Sequence, residues 1–195
     1  MRPNPVWDVL AFLVTPAWTT PVFWLLLGCS IVIAVIVWRR VENQRTAQNV
    51  GVWVARVVVG AMWWQQSLWK IPPNYDGLVY WMNQMGEHAS IKLQGNLVHD
   101  FVVPNIAVFG PLVYATEVCI GISLILGLLT RLGAFLGILM ALNLWLGLYS
   151  APGEWPWTYA FIILLQLLFI IDPPGRDLGA DILLRRRYRL STVLA

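Results

Sequence analysis

The sequence predicts an all-α integral membrane protein with five transmembrane helices. Three observations lead there. Of 195 residues, 58% are hydrophobic and only 12% charged, whereas a soluble domain carries about 25% charge. Mean hydropathy is +0.66. Five apolar stretches approach the ~20 residues a helix needs to cross a bilayer core, where backbone polar groups must be satisfied within the segment. The 12 Trp exclude a disordered chain, because disordered segments are poor in aromatics and rich in charge.

The first span is Pro21 to Trp38, with Thr20 as its cap, Pro21 at the first helical position, and Arg39 and Arg40 as its stop. The second, Val50 to Ile71, is the most polar and ends at Pro72 and Pro73. A third runs from about Ile106 to Leu129, carries Glu117 near its middle and stops at Thr130 and Arg131. The fourth is Leu132 to about Tyr149, and the fifth is the short stretch Trp157 to Ile171. Residues 1–20 read as an outer interfacial segment, too short to cross and lacking a basic leader. Residues 72–105 form an outer segment with apolar spacings that fit one or two short amphipathic helices. A basic tail, residues 185–195, is placed on the inner leaflet, where anionic lipid attracts Arg and Lys. The cluster is too small and too close to a span for nucleic acid.

Orientation follows from Lys and Arg near the span ends. With the N-terminus outside and the C-terminus inside, Arg39, Arg40, Arg45, Arg131, Arg176, Arg185, Arg186, Arg187 and Arg189 lie inward, against Arg2, Lys70 and Lys92 outward. This places the chain in the cell's inner (cytoplasmic) membrane as a multi-pass protein. Most Trp then gather near the outer face. That excess reads either as an aromatic belt with core packing, or as an outer surface for other protein subunits or a lipid-soluble ligand.

An ionisable residue inside the bilayer is a functional-site hypothesis that needs a partner. Glu117 lies roughly 16 Å below the outer end of its helix and Arg56 roughly 22 Å below the same face, so an Arg56–Glu117 pair is expected. Gln65, Gln66, Asn143 and Gln166 extend this into a polar ladder. The ladder is either interhelical hydrogen-bond glue or the lining of a cavity open toward the outer half. Gly133, Gly137 and Ala141 read as a packing face, and Gly121 as room beside Glu117. His88 and His99 both fall in the outer segment, so neither a haem nor a metal is expected. Cys29 and Cys119 read as small hydrophobes. No flavin or nicotinamide fingerprint occurs.

Three motifs in order give a resemblance. Glu117 to Trp145 (EVCIGISLILGLLTRLGAFLGILMALNLW), the stretch RVVVGAMWWQQSLWKIP opened by Arg56 and closed by Lys70, and IIDPPGRDLGAD at 170–181 resemble the DoxX/DoxD family over about residues 50–184. The resemblance implies a four-span core. It also implies a DoxD-type subunit of a quinone-linked oxidoreductase, passing electrons from thiosulfate to membrane quinone with a partner. In that reading Glu117 carries protons, Arg56 sets its charge, and Gln65, Gln66 and Asn143 hold the quinone head group. Trp63 and Trp64 form stacking walls, Gln166 continues the ladder, and Lys70 attracts an anionic substrate. The alternative is a non-catalytic accessory or assembly subunit of a larger respiratory or photosynthetic complex. The first span and the aromatic outer segment depart from the family pattern and point to packing against something else. A solute carrier is disfavoured, since neither a broken helix pair nor an inverted repeat is visible.

Overall fold

The computed structural model describes residues 4–188, which form helices and turns with no strand among them. Helix α1 (Pro5–Val14) is capped by Asn4, whose side chain accepts from Val6 N at 3.0 Å. Helix α2 (Thr19–Arg40) follows. Thr20 does not cap it as expected. The helix begins at Thr19, two residues before Pro21, and the Thr20 hydroxyl donates back to Thr15 O at 2.7 Å. Helix α3 (Ala47–Ser67) is capped by Thr46 and continues into a 3₁₀ turn, Leu68–Lys70. Helix α4 (Asp76–His88) buries Leu78, Met82 and Met85, the i, i+4, i+7 stripe of an amphipathic helix. Helix α5 (Lys92–Leu97) passes through a π turn and a 3₁₀ turn into α6 (Ile106–Leu126). Helices α7 (Thr130–Gly147), α8 (Trp157–Ile171) and α9 (Ala180–Tyr188) complete the chain. Of the basic tail, residues 189–195 lie outside the described residues.

Among the described residues, three helical stretches are long and apolar enough to cross a membrane: Thr19–Arg40, Lys92–Leu126 and Thr130–Gly147. The apolar α8 is shorter, and α3 is as long but carries Gln48, Asn49, Arg56, Gln65 and Gln66. The chain is a multi-pass helical membrane protein. Its bundle has α3 packed on α6, α6 beside α7, and α7 on α8. The shared core is Val59, Trp63, Ile120, Leu124, Ala134, Ala141 and Phe169. The extra helix α2 lies against α6, burying Phe23, Ser30 and Val37 at seven-residue spacing along one face.

Close approach of α3 and α6 is licensed by glycine. A Cβ on Gly60 would come within 2.8 Å of Ile125 N, and one on Gly121 within 3.1 Å of Trp64 N. Gly121 therefore admits the α3 backbone and does not open room beside Glu117. Without a hydrophobic drive between helices in lipid, such small-residue contacts supply the packing.

One end of the bundle is tied by a polar knot. Gly127 ends α6 at φ +69°, with Gly127 N bonded to Leu124 O and Leu128 N to Ser123 O, a Schellman close. Carbonyls left over there are taken from outside the helix. Arg56 donates to Leu124 O at 2.5 Å and Ile125 O at 3.1 Å, and the Ser30 hydroxyl donates to Ile125 O at 2.6 Å. The start of α7 is capped by a distant carboxylate: Asp181 accepts from Leu129 N (2.6 Å), Thr130 N (3.0 Å) and the Thr130 hydroxyl (2.7 Å). Asp181 N returns a bond to Gly127 O at 2.8 Å. These are the orphan groups every helix end must satisfy, and a carboxylate also suits the positive end of the α7 dipole. Beside the knot, Asn49 Nδ2 donates to Asp177 Oδ1 at 2.8 Å. Burial, with Asp172 nearby, pushes the Asp177 carboxyl above its ordinary range.

Asp181→Ala is expected to lower stability by about 2–3 kcal/mol, because it strands buried donors and removes a helix cap. Exposed Asp8→Ala should change it by less than about 0.5 kcal/mol. Reversible unfolding of both variants in detergent micelles checks this.

Candidate functional site

At the end of the bundle opposite the knot, α3 and α6 bring two charges together. Lys70 Nζ donates to Glu117 Oε1 at 2.5 Å and Oε2 at 2.6 Å. Lys70 is 3% exposed and Glu117 1%. The Lys70 ammonium also sits 4.4 Å from the centroid of the Trp69 ring. Helix direction explains the pairing. Side chains lean toward the N-terminus of their own helix. Helix α6 starts at this end, so Glu117 leans toward it. Lys70, at the last turn of α3, leans back into the bundle. They meet head on.

The same rule separates Arg56 from Glu117. Arg56 leans toward the start of α3, at the far end, and is spent on the carbonyls of Leu124 and Ile125. Those residues lie seven and eight positions beyond Glu117 on α6, roughly 10–12 Å along its axis. The expected Arg56–Glu117 pair does not form. Nor is Lys70 a free cation at the mouth. It is buried, and Glu117 neutralises it.

Above the pair lies a cavity of about 330 Å³. Helix α4 roofs it with Leu78, Met82 and Met85, and Val113, Met140, Leu144 and Leu148 form apolar wall. Trp69 and Trp81 supply aromatic faces. Polar groups converge on this apolar lining: Gln66, Gln94, Asn143, Glu154 and Tyr159. Gln94 Nε2 donates to Asn143 O at 3.0 Å and Asn143 Oδ1 at 2.8 Å. Gln94 Oε1 is buried with no hydrogen-bond partner among the described residues. Tyr159 Oη donates to Glu154 Oε2 at 2.7 Å. Chemically, the arrangement offers an acid–amine pair at the floor and an unused acceptor above it. Apolar walls around them suit a compact, partly polar molecule.

Of the residues singled out in the sequence, Glu117, Lys70, Gln66 and Asn143 line this cavity. Gln65 and Trp63 do not. They border a second cavity between α3 and α8. Trp64 faces the other way and packs with Phe23 and Ile125. Gln166 is fully buried on α8 with its amide against Gly137 of α7, where a Cβ would strike the amide oxygen. The ladder is thus broken: its Gln166 rung belongs to helix packing, and its Arg56 rung to the knot. Sequence reasoning missed Gln94, Glu154 and Tyr159. Only Tyr159 and Glu154, five residues apart across the start of α8, left a local trace. His88 and His99 stay at the surface segment, with His99 Nδ1 2.8 Å from Asp100 Oδ1. Among the described residues, no three His, Cys, Asp or Glu side chains converge as metal ligands.

A family model described as DoxX matches residues 51–150, just over half of the chain. The match runs from the first turns of α3 past the end of α7. It includes both members of the ion pair and the α4–α5 roof, and it leaves out α1, α2 and α8. No curated protein and no solved structure matches the chain.

Removing one partner of a buried pair strands the other charge, at about 3–5 kcal/mol. Lys70→Met and Glu117→Leu should each cost about that much, while K70M/E117L costs less than either single change. A double-mutant cycle read by unfolding in micelles decides it. Additive losses would mean that the two charges do not act as a unit.

Proposed function

The chain belongs to the DoxX family of membrane proteins, and from that premise we propose that it is the membrane subunit of a quinone-linked oxidoreductase. In this proposal it crosses the inner (cytoplasmic) membrane five times, N-terminus out and C-terminus in. The positive-inside bias supports that orientation, because Arg39, Arg40, Arg131 and Arg176 then share the cytoplasmic side with the knot. The observation that carries the function is the Lys70–Glu117 pair at the floor of a mostly apolar cavity.

The residues fit a quinone head group. Gln94 Oε1 is a buried acceptor with an unused lone pair, suited to a quinol hydroxyl. Trp69 and Trp81 offer faces to a flat ring, and Asn143 and Gln66 border the same space. A bound quinone supplies two-electron, two-proton redox chemistry. The chain's part is to hold the ring, shield it from water, and keep a proton on the Lys70–Glu117 pair within reach of a ring oxygen. Glu117 is the proton-carrying group and Lys70 positions it. This role replaces the anion-attracting one expected for Lys70, and Arg56 becomes an anchor of the fold. Electrons come from a partner subunit or a soluble donor such as thiosulfate.

A second reading, an accessory subunit of a larger respiratory or photosynthetic complex, is favoured by one observation. Trp7, Trp18, Trp155 and Trp157 are all exposed, and α2 shows most of its apolar surface outside the bundle. Such a surface fits other protein subunits.

Glu117→Gln in native membranes should lower thiosulfate-driven quinone reduction about 10²-fold or more. The charge-free pair K70M/E117L should lose turnover equally while staying folded. Unaltered turnover in both variants removes the pair from the mechanism. Co-purification with a cytochrome-bearing complex, with no thiosulfate activity, favours the accessory role.

A further inference from the structure

The second cavity, about 280 Å³, is a slot between α3 and α8 floored by Ala141 and Leu144 of α7. It adjoins the first: Gln66, Leu144, Glu154 and Tyr159 line both. The two differ in surroundings. The first is covered by α4 and α5, which the second lacks. Its walls run from Gln66 down to Val59 on α3 and from Thr158 down to Leu165 on α8, about 10 Å of helix each. Its edges, Met62 at 45% exposure and Leu165 at 40%, lie on the outer surface of two bundle helices. In a bilayer that surface meets acyl chains, so what fills the slot comes from the membrane side.

Polarity changes at the junction. Below it the lining is Val59, Met62, Trp63, Ala141, Ile162 and Leu165, with Gln65 the one polar side chain at its upper edge and no charge among them. At the junction stand Gln66 and the Tyr159–Glu154 hydrogen bond. Above it lie Lys70, Glu117, Gln94 and Asn143. A molecule matching this gradient has a compact polar head and a hydrocarbon chain, joined at the level of Tyr159.

We infer that the slot holds the hydrocarbon chain, isoprenoid or alkyl, of the molecule whose head occupies the cavity above Lys70–Glu117. The ligand then enters sideways from the lipid between α3 and α8, past the Tyr159–Glu154 bond. This rests on the cavity being a head-group site, and it adds where the tail lies and how the ligand arrives. Gln66 and Tyr159 become positioning residues that fix the depth of the head.

Photolabelling in lipid nanodiscs tests it. The probe is a methoxylated benzoquinone with a decyl chain that carries a diazirine near the ring. Adducts are expected on peptides spanning 59–66 and 158–165, with several-fold loss under excess unlabelled decyl-quinone. Two variants narrow the slot, A141F at its floor and M62F/L165F at its exposed edge. Either one, folded, should abolish the competed labelling. Labelling spread over α2 and other lipid-facing helices without competition would overturn the inference, as would unchanged labelling in both variants. Quenching of tryptophan fluorescence by the same ring without a chain separates the two readings. If the chainless ring binds but the chain labels elsewhere, the slot is not the tail site and the head-group reading stands. If neither probe binds, both fall.

Discussion

Everything at the functional end of this bundle depends on one buried contact, the ammonium of Lys70 on the carboxylate of Glu117. Two charges inside a membrane bundle are tolerated only when they neutralise each other and satisfy each other's hydrogen bonds. The contact joins the last turn of α3 to the middle of α6, the two helices that pack most closely. It also holds a polar floor beneath an otherwise apolar cavity. With the pair in place, the space stays open and chemically marked.

The opposite end solves a different problem with similar residues. Where α6 stops and α7 starts, carbonyls and amides lose their helical partners. Arg56, Ser30, Ser123 and Asp181 take them up, drawing on α2, α3, α6 and α9 at once. This knot uses the Gly-Leu-Leu-Thr-Arg turn at 127–131 and the Gly-Arg-Asp-Leu-Gly-Ala-Asp run at 175–181. Two of the three stretches that make the sequence resemble its family are therefore devices for closing helix ends. The Glu117–Trp145 stretch also reaches the cavity, through Glu117 and Asn143, as the α3 stretch does through Lys70.

A division of labour follows. One end is buried and closes its helix termini through Arg56, Ser30 and Asp181. The other is left open, with an amide oxygen unused and a hydrogen-bonded Tyr159–Glu154 pair at the junction of two cavities. The added helix α2 touches neither cavity and lies against α6, where its Ser30 helps to close the knot.

Sequence alone determined the class of the molecule, because hydrophobic length and scarce charge are one-dimensional quantities. It located the helices to within a few residues, since Pro, Gly and Arg punctuate them, and it marked Glu117 as the buried acid. What it could not settle was partnership. Depth along a span made Arg56 and Glu117 look adjacent, yet depth ignores that side chains lean toward the start of their own helix. On antiparallel helices that lean carries Arg56 away from Glu117 and Lys70 toward it. Gln166 was left between two readings for a related reason: which face of α8 meets Gly137 depends on rotation about the helix axis, which packing decides. The cavity itself needed α4 and α5 to fold back over the bundle, a contact between residues far apart in the chain that no local pattern announces.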